Sequence, residues 1–361
     1  MISERLLAAV RCPACRSPLQ PSAAAPRALR CTTCGCEYPQ TSDVFLDLRP
    51  RERFQEQTKY LDQSLHADAR HERVSPPLLG SKIRNDMLRR FLMPSAADRI
   101  VDLGCGSGRA LLWNRDWGAQ TVGVDIAPFF SEEAAAGVDL LLADLRRLPF
   151  EDGAFTRAYS LDVLEHLSPE ALRGMLAEAN RVLEPRGTLF VYTHVRKNAR
   201  IAAGLRGINA AARWLERAGL IDMRQERLRK SDHLNPLADI PELERVARDS
   251  GFRVARITYY TPIVGGFVEN IVIRVAERAL TRRAAKRLAA GGTAPADTDA
   301  AAVRTARLAA KDRIGRRGPT YVALRALSAA MTLDVLLFGR IRSGPFFALL
   351  EKIGPSRTAD V

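Results

Sequence analysis

The chain has 361 residues, of which 47% are hydrophobic, and a formal net charge of +14. This composition is typical of a folded protein with its own core and excludes a highly charged disordered chain. We identify no apolar run long enough to span a bilayer and no secretory signal in the first ten residues, so we expect a cytoplasmic protein.

The excess of positive charge lies entirely in the second half of the chain. Residues 1–194 carry 24 Lys+Arg and 25 Asp+Glu, whereas residues 195–361 carry 31 and 16. A basic half indicates either a polyanion or an anionic membrane surface as a partner. Arginines spread over solvated helix faces are the alternative.

Two Cys-x-x-Cys pairs lie near the start of the chain, Cys12 with Cys15 and Cys31 with Cys34. Each pair can present two thiolates, and together they complete a tetrahedral Zn(II) site. Four protein ligands leave no open position for a substrate, so the predicted zinc is structural. Cys36 is a spare thiol that we expect to lie outside this ligand set.

The stretch "CPACRSPL…LRCTTCGCEYPQTSDVFLDL" resembles the zinc ribbon of the small activator subunits of tRNA and protein methyltransferases. The resemblance covers about residues 5–48 and implies a zinc ribbon over residues 1–48. It also raises the hypothesis that the chain is a non-catalytic activating partner of another methyltransferase. A helical connector over 49–95 is predicted to follow, with an amphipathic helix in "KIRNDMLRRFL".

From residue 99 onward, predicted strands and helices alternate. The strands are "RIVDL", "TVGVDI", "VDLLLAD", "AFTRAYSL" and "GTLFVYTHV"; the helices are "RALLWNRDW", a short one near 129–136 and "PEALRGMLAEANRVL". This alternation predicts an α/β fold with a doubly wound, mostly parallel sheet. Ligands of such sheets bind at the carboxyl ends of the strands.

A Gly-x-Gly-x-Gly loop made of Gly104, Gly106 and Gly108 follows the first of these strands. Glycine is unfavourable inside strands and helices, so the cluster predicts a sharp turn or the close approach of a ligand. The second strand ends in Asp125, which can accept both hydroxyls of a ribose. The third ends in Asp144, which could accept from an adenine amino group. Together they predict a nucleoside ligand without a pyrophosphate, with helix capping or solvation as the alternative for each carboxylate.

The motifs "VDLGCGSG", "VGVDIA", "ADLRRLPFEDGAFTRAYSLDVLEHL" and "RVLEPRGTLFV" resemble a class I S-adenosylmethionine-dependent methyltransferase of the type 11-like group. The resemblance implies a seven-stranded Rossmann-like sheet, a methyltransferase core over 96–261, and S-adenosylmethionine as the cofactor. It implies that Asp102 positions the ammonium group of the cofactor and that Asp125 binds its ribose. The implied cofactor site consists of Asp102, Gly104, Cys105, Gly106, Gly108, Asp125, Ile126, Asp144, Leu145 and Ser160.

Three histidines are candidate catalytic bases: His166, His194 and His233. We expect all three near the carboxyl edge of the sheet, where a neutral imidazole could take a hydroxyl proton from the acceptor. A histidine that caps a helix or bonds within a loop is the alternative for each. Asp162, Glu165 and His166 also echo a pattern that binds Mg(II) in a few relatives, although carboxylates at a helix N-terminus have a simpler explanation in the helix dipole.

The sequence narrows the class of acceptor without naming it. No Asn/Asp-Pro-Pro-aromatic stretch follows the fourth strand, which disfavours exocyclic base amines, whereas "DVLEHL" resembles relatives that act on small molecules, quinone precursors and glycans. We therefore predict O-methylation of a small-molecule, glycan or lipid-linked acceptor. The zinc ribbon and the basic half keep an RNA methyltransferase, with nucleic acid as partner, as the rival hypothesis. The oligomeric state is not predicted.

The segments "GFRVARITYY" and "GPFFALLEKI" fit the last two strands, which form an adjacent hairpin in this fold. A helical insertion over 262–343 separates them, and the last strand and tail occupy 344–361. Its apolar runs and interleaved arginines predict a lid or a subdomain that makes peripheral contact with the cytoplasmic face of a membrane. Helices packed on the core are the alternative. One predicted helix has apolar residues at helical spacing: Leu324, Leu327, Met331, Val335 and Phe338.

Overall fold

The computed structural model describes residues 2–23, 27–40, 42–50, 74–195, 203–221, 223, 233–234, 236–260, 263–276, 278–279, 282–283, 318–342 and 344–353. The predicted connector over 49–95 therefore falls partly outside the described residues, at 51–73. The Gly/Ala/Thr-rich stretch of the insertion also lies outside them.

The N-terminal region consists of helix α1 (Glu4–Ala9) and a three-stranded antiparallel sheet, β1 (Leu19–Pro21), β2 (Ala28–Cys31) and β3 (Glu37–Pro39). Ser3 caps α1, because its hydroxyl accepts a hydrogen bond from the amide of Leu6 at 3.0 Å. The two Cys-x-x-Cys pairs lie at the turns that precede β1 and follow β2, so the small sheet brings them together.

The central sheet has eight strands in the order β10-β11-β9-β8-β5-β6-β7-β4. Their bounds are β4 Leu46–Asp47, β5 Arg99–Leu103, β6 Gln120–Asp125, β7 Asp139–Leu142, β8 Phe155–Leu161, β9 Leu183–Thr193, β10 Phe252–Tyr259 and β11 Phe346–Lys352. Strand β11 pairs antiparallel with both β10 and β9, and the remaining neighbours pair parallel. The mostly parallel α/β sheet and the C-terminal hairpin across the insertion are confirmed.

Seven of these strands are the predicted ones, and β4 is an addition. In β4, Leu46 pairs with Leu141 and Asp47 with Leu142, in parallel register. Leu46 and the following Leu48 are almost completely buried. The tail of the predicted ribbon is thus part of the central sheet.

The further helices before the insertion are α2 (Gly80–Leu92), α3 (Arg109–Trp113), α4 (Glu132–Gly137), α5 (Pro169–Val182), α6 (Ala203–Arg217) and α7 (Ile240–Asp249). The predicted helix "RALLWNRDW" is split into α3 and a 3-10 turn, Arg115–Trp117. The break falls at Asn114, whose side-chain amide donates at 2.7 Å both to the carbonyl of Ala110 and to Asn85 Oδ1. These side-chain bonds compete with a continuous helix.

The insertion supplies α8 (Val264–Phe267), which continues as a π-helical segment (Val268–Val272), and α9 (Pro319–Phe338). The predicted spacing in α9 is confirmed at Met331 and Val335, which are buried, whereas Phe338 is 40% exposed. Among the described residues, one helix, α9, is long and apolar enough to cross a membrane, and 22% of its apolar window is buried. The expectation that the chain has no apolar run of this length was wrong, because the two charged residues Arg325 and Asp334 leave the mean hydropathy of α9 high.

Apolar side chains bury both faces of the central sheet. On one face, Leu6, Val10 and Tyr38 of the N-terminal region share a core with Leu172 of α5 and Phe252 of β10. On the other face, residues of α2 and α9 pack with the far side of the same strands. The carboxyl ends of β5 to β8 remain open between these layers.

Candidate functional site

A cavity of about 490 Å³ lies at the carboxyl ends of β5, β6, β7 and β8. This is the position where open α/β sheets bind their ligands. It is lined by eight of the predicted cofactor residues: Asp102, Gly104, Cys105, Gly106, Asp125, Ile126, Asp144 and Leu145.

The three glycines of the loop have positive φ values of +87°, +54° and +77°, but they serve different purposes. A Cβ on Gly104 would lie 2.3 Å from Val163 Cγ2, and one on Gly108 would lie 2.6 Å from Ala134 Cβ. Around Gly106, no atom of the described residues lies within 4 Å of a built Cβ. Gly104 and Gly108 therefore allow close packing, whereas Gly106 leaves space on the cavity side for a ligand.

Asp125, at the end of β6, connects this loop to the next strand. Its Oδ2 accepts a hydrogen bond from the amide of Gly106 at 2.7 Å, and its Oδ1 accepts from the amide of Ala127 at 2.9 Å. Burial raises the pKa of Asp125 above its ordinary value, and these two amide bonds partly oppose the shift. Each carboxylate oxygen has a second lone pair that could accept a hydroxyl of a ligand.

Asp102 is a second buried carboxyl on the cavity wall and is 2% exposed. Burial raises its pKa well above the ordinary value, and the negative charge of Asp125 adds to the shift. A cationic group of a ligand in the cavity would favour the ionised form of both carboxyls. The pair therefore matches a positively charged nucleoside.

Asp144, at the third predicted position, is engaged by its own loop. It accepts hydrogen bonds from the amide of Arg146 at 2.9 Å and from Arg146 Nε at 3.0 and 3.1 Å. Asp144 also lines the cavity, where a ligand could still reach it. Its hydrogen bond to adenine therefore stays a prediction. Two other predicted residues, Ser160 and Gly108, do not line it. Ser160 lies beneath the loop and donates to the carbonyl of Leu103 at 2.7 Å.

The three predicted histidines do come together. The rings of His166 and His233 meet edge to face with centroids 4.7 Å apart, and the ring of His194 is 5.7 Å from that of His233. His166 lines the cavity, whereas His194 and His233 do not. One candidate base therefore lies on the cavity wall, and the other two belong to the cluster of rings next to it.

A buried carboxylate organises this histidine cluster. Glu165 is 1% exposed and lies 3.3 Å from His194 Nδ1, measured from Oε1, while Oε2 accepts from Thr193 Oγ1 at 2.9 Å. Burial opposes ionisation of Glu165, but the hydrogen bond and charge of His194 hold its pKa below the ordinary value. An ionised Glu165 can fix the orientation of His194.

The same cluster has the geometry to hold a cation. Glu165, His166 and His233 each offer a ligand atom, and these atoms lie within 4.8 Å of one another. Asp162, which belongs to the Mg(II) pattern of the sequence, is not in this set; its Oδ2 lies 3.6 Å from Arg84 Nε instead. Two imidazoles and one carboxylate suit a transition metal better than Mg(II). This arrangement is an alternative to a histidine base.

Sequence reasoning missed Arg84, which α2 presents to the cavity. Its guanidinium lies over the Tyr192 ring, 5.4 Å from the centroid. Burial disfavours the charged form of Arg84, but the negative charges of Asp162 and Glu269 outweigh it and raise the pKa of Arg84 above its ordinary value. An amphipathic pattern predicts which face of a helix is buried, but it does not indicate that one cation on that helix reaches a cleft.

The four predicted zinc ligands also come together, and their geometry fits the metal. The Sγ atoms of Cys12 and Cys34 are 3.6 Å apart, those of Cys15 and Cys31 are 3.3 Å apart, and all four lie within 4.8 Å of one another. A tetrahedral site with Zn–S bonds of about 2.3 Å requires S–S separations of roughly 3.8 Å. The amides of residues 33 and 34 point at Cys31 Sγ, both at 3.4 Å, as expected around a thiolate. Cys36 is not part of this four-sulfur set.

The sheet order and the cavity define a Rossmann-like α/β domain with a ligand site at the carboxyl ends of its strands. Residues 101–191 match the family model described as a methyltransferase domain, so this part of the chain is a methyltransferase domain. The match contains the glycine loop, Asp125, Asp144 and the "DVLEHL" segment.

Curated relatives differ in the acceptor that their names give. The chain is 35% identical over 107 residues to sterol 4-C-methyltransferase strm-1 of Caenorhabditis elegans, covering 27% of this chain and 31% of that protein. It is 30% identical over 157 residues to the ubiquinone biosynthesis O-methyltransferase of Azorhizobium caulinodans, covering 40% and 61%. It is 32% identical over 108 residues to "Probable tRNA methyltransferase 9B" of Bos taurus, covering 29% and 23%. The matched parts span between about a quarter and three fifths of these relatives.

Among solved structures, the chain resembles phosphoethanolamine N-methyltransferase 2 of Haemonchus contortus in complex with S-adenosyl-L-methionine. The TM-score is 0.46 at 15% identity, and the match covers 83% of this chain and 59% of that chain.

Proposed function

We propose that this chain transfers the methyl group of S-adenosylmethionine to an oxygen or similar nucleophile of a small-molecule, glycan or lipid-linked acceptor. The observation that carries the proposal is the cavity at the carboxyl ends of β5 to β8. It combines an open backbone approach at Gly106 with two carboxyls, the buried Asp102 and the half-buried Asp125. A positively charged nucleoside satisfies both features.

Bound S-adenosylmethionine supplies a sulfonium-linked methyl group, which needs little activation. The residues of the chain bind and orient the reactants. Asp125 would accept the ribose hydroxyls, Asp102 would bind the ammonium group, and the loop at Gly106 would leave room for the methionine part. Their arrangement fixes the direction in which the acceptor must approach, which is the larger part of the catalytic work for such a donor.

His166 is our candidate for the base that removes the acceptor proton. It lies on the cavity wall at the end of the 3-10 turn Leu164–His166. Next to it, Glu165 Oε1 lies 3.3 Å from His194 Nδ1, and His233 packs on the His166 ring. These neighbours hold the imidazole in place as a positioned general base.

We further propose that Cys12, Cys15, Cys31 and Cys34 bind one structural Zn(II). The sulfur distances and the amides that point at Cys31 support this assignment. The N-terminal region is then an internal support for the methyltransferase domain, because it shares a core with α5 and β10. The cavity argues against a purely activating role for the chain.

The proposal is tested in two stages with the full-length protein. Calorimetry with S-adenosylhomocysteine should show binding by the wild type and its loss in Gly106→Val; absence of binding by the wild type contradicts the proposal. The protein is then incubated with radiolabelled S-adenosylmethionine and separate lipid, water-soluble and total RNA fractions of a cell extract. Label in lipid or water-soluble compounds supports the proposed acceptor class. Label confined to RNA supports the rival enzyme, and label only after addition of a second methyltransferase supports an activating partner.

A further inference from the structure

Helix α9 of the insertion has two opposite faces with different surroundings. Met331 and Val335 face the domain and are fully or almost fully buried. On the other side lies an outer stripe that is 47–65% exposed, made of Val322, Leu333, Leu336 and Leu337. Exposed apolar side chains that adjoin one another in this way are unusual on a soluble monomer and mark an interaction surface.

The inner face of α9 is fixed to the domain by polar contacts as well. Ser328 Oγ accepts a hydrogen bond from the amide of Leu79 at 2.7 Å. Asp334 is 2% exposed, and its Oδ2 accepts from the amides of Ile263 and Gly265 at 3.0 and 3.1 Å. A helix held in this way lies on the surface of the domain and does not cross a bilayer, even though its length and composition would allow it.

Exposed arginines lie on α9 beside the outer stripe and on α6, which packs against α8 as α9 does. Arg325 lies on the exposed part of α9, and Arg340 follows its end. Helix α6, which packs against the π-helical segment, exposes Arg213 next to Trp214, and Trp214 is 64% exposed. Within α9 the acidic residue is Asp334, which is buried. Apolar side chains, an exposed tryptophan and arginines together are characteristic of helices that lie in the interface of an anionic membrane.

We infer that the outer stripe, with Trp214, Arg213, Arg325 and Arg340, is a docking surface for an anionic lipid bilayer. The leucines enter the boundary between headgroups and acyl chains, and the guanidinium groups pair with lipid phosphates. Charge decides against a second copy of the chain as the occupant, since two such basic faces would repel each other. The surface lies parallel to the membrane and binds it reversibly.

A series of contacts connects the inner face of α9 with Arg84 of the cavity wall, and this part of the inference rests on the proposed function. Asp334 of α9 holds the start of α8, and Glu269 in the π-helical continuation of α8 accepts a hydrogen bond from the Tyr260 hydroxyl. Glu269 also acts on the charge of Arg84, which lines the cavity. Docking through α9 would therefore attach the domain that contains the cavity to the bilayer, where a lipid-linked acceptor resides.

Vesicle flotation of the full chain tests the docking surface. We expect the protein to float with vesicles of phosphatidylcholine and phosphatidylglycerol at low salt, to float less with phosphatidylcholine alone, and to be released in part at high salt. Leu333→Ser/Leu337→Ser should lower the partition coefficient on anionic vesicles by about tenfold or more, because two apolar side chains leave the membrane. The matched control is Leu7→Ser/Ile353→Ser, which removes two exposed apolar residues elsewhere and should bind like the wild type.

Two results would overturn the inference. One is a wild-type protein that remains in the soluble fraction with anionic vesicles at low salt. The other is a dimer, seen by light scattering without vesicles, that Leu333→Ser/Leu337→Ser dissociates, because the stripe would then be a contact between copies. Calorimetry with S-adenosylhomocysteine on the same preparations distinguishes failure of the docking surface from failure of the proposed function. Vesicle binding without cofactor binding would support the docking surface and contradict the proposed function.

Discussion

The carboxylate of Glu178 accepts a hydrogen bond from the backbone amide of Leu148 at 2.8 Å. Glu178 also pairs with Arg181 at 2.7 Å and with Arg16, which follows the first Cys-x-x-Cys pair, at 3.3 Å. Leu148 belongs to the loop that follows Asp144, so one buried glutamate on α5 connects the N-terminal region with the loop beside the cavity. The adjacent backbone bond from the amide of Arg11 to the carbonyl of Pro149, 2.8 Å long, strengthens this connection.

Glu178→Ala should destabilise the protein by about 2 kcal/mol, because it leaves the amide of Leu148 without its acceptor and removes one of the two carboxylates that pair with Arg181, the other being Asp152. Glu178→Gln retains an acceptor for that amide and should cost less. The matched control is Glu170→Ala at an exposed position of the same helix, which should change stability by less than about 0.5 kcal/mol. Urea unfolding measures the three values. Equal effects of Glu178→Ala and Glu170→Ala would show that the connection contributes nothing.

Asp125→Ala should weaken the binding of S-adenosylhomocysteine roughly 100-fold, because two hydrogen bonds from ribose hydroxyls to a carboxylate are lost. Asp116→Ala, which removes an exposed carboxylate paired with Arg89, is the control and should bind normally. Isothermal titration calorimetry gives both affinities. An unchanged affinity in Asp125→Ala would place the ribose elsewhere.

Asp102 should make cofactor binding depend on pH. Burial raises its pKa in the unliganded protein, so protonation competes with a cationic ligand, and S-adenosylmethionine affinity should fall as the pH is lowered through that raised pKa. In Asp102→Asn the affinity should be lower and less dependent on pH, with a remaining dependence from Asp125. Titrations between about pH 5 and 8 in buffers of different ionisation enthalpy reveal the proton release.

The raised pKa of Asp102 also affects the stability of the unliganded protein. A carboxyl whose pKa is raised by folding stabilises the fold at low pH, and this contribution is lost as the pH rises through the folded-state pKa. Asp102→Asn should therefore raise the unfolding midpoint of the unliganded protein at neutral pH by a few degrees. A lower midpoint would mean that the interaction between Asp102 and Tyr159 stabilises the fold more than the buried carboxylate destabilises it.

Metal analysis of the purified protein should find one zinc per chain. Cys12→Ser/Cys31→Ser should lose it, whereas Cys36→Ser should retain it, because Cys36 is outside the four-sulfur set. Since Leu6, Val10 and Tyr38 share a core with the methyltransferase domain, metal removal should also lower the unfolding midpoint of that domain. Stoichiometric zinc in the double variant would refute the ligand set.

His166→Gln should reduce methyl transfer to the labelled fraction about 100-fold while leaving S-adenosylhomocysteine affinity unchanged. His194→Gln should have a smaller effect, because His194 pairs with Glu165 behind the cavity wall. In Cys12→Ser/Cys31→Ser, which should lack the structural zinc, a general base predicts that the remaining activity survives extensive treatment with a chelator. Loss of activity on chelation, restored by a divalent transition metal, would assign the cluster of Glu165, His166 and His233 to a cation instead.

The sequence allowed the sheet and the cofactor end of the cavity to be predicted, because their signals are local. The turn at Gly104 and the carboxylate at Asp125 follow directly from the ends of two apolar strands. The histidine cluster could also be predicted, since all three residues were expected at one edge of the sheet.

Other features depend on contacts between segments far apart in the chain. Arg84 reaches the cavity only because α2 packs beside β9. Glu165 has no sequence signal that distinguishes a carboxylate buried beneath a histidine from one at a helix N-terminus. The two faces of α9 are equally apolar in sequence, so their different surroundings follow only from the domain against which one of them packs.

The two-residue strand β4 also protects the sheet from the wrong partners. Strand β7 would otherwise be an outermost strand with unpaired backbone groups along apolar residues such as Leu141 and Leu142, which is a template for aggregation. Leu46 and Asp47 occupy that edge, and the amide of Leu48 donates to the carbonyl of Leu142 at 2.8 Å. The N-terminal region thus covers the edge of β7 within the same chain. A truncated chain that begins after this region would expose β7 to pairing with other copies during folding.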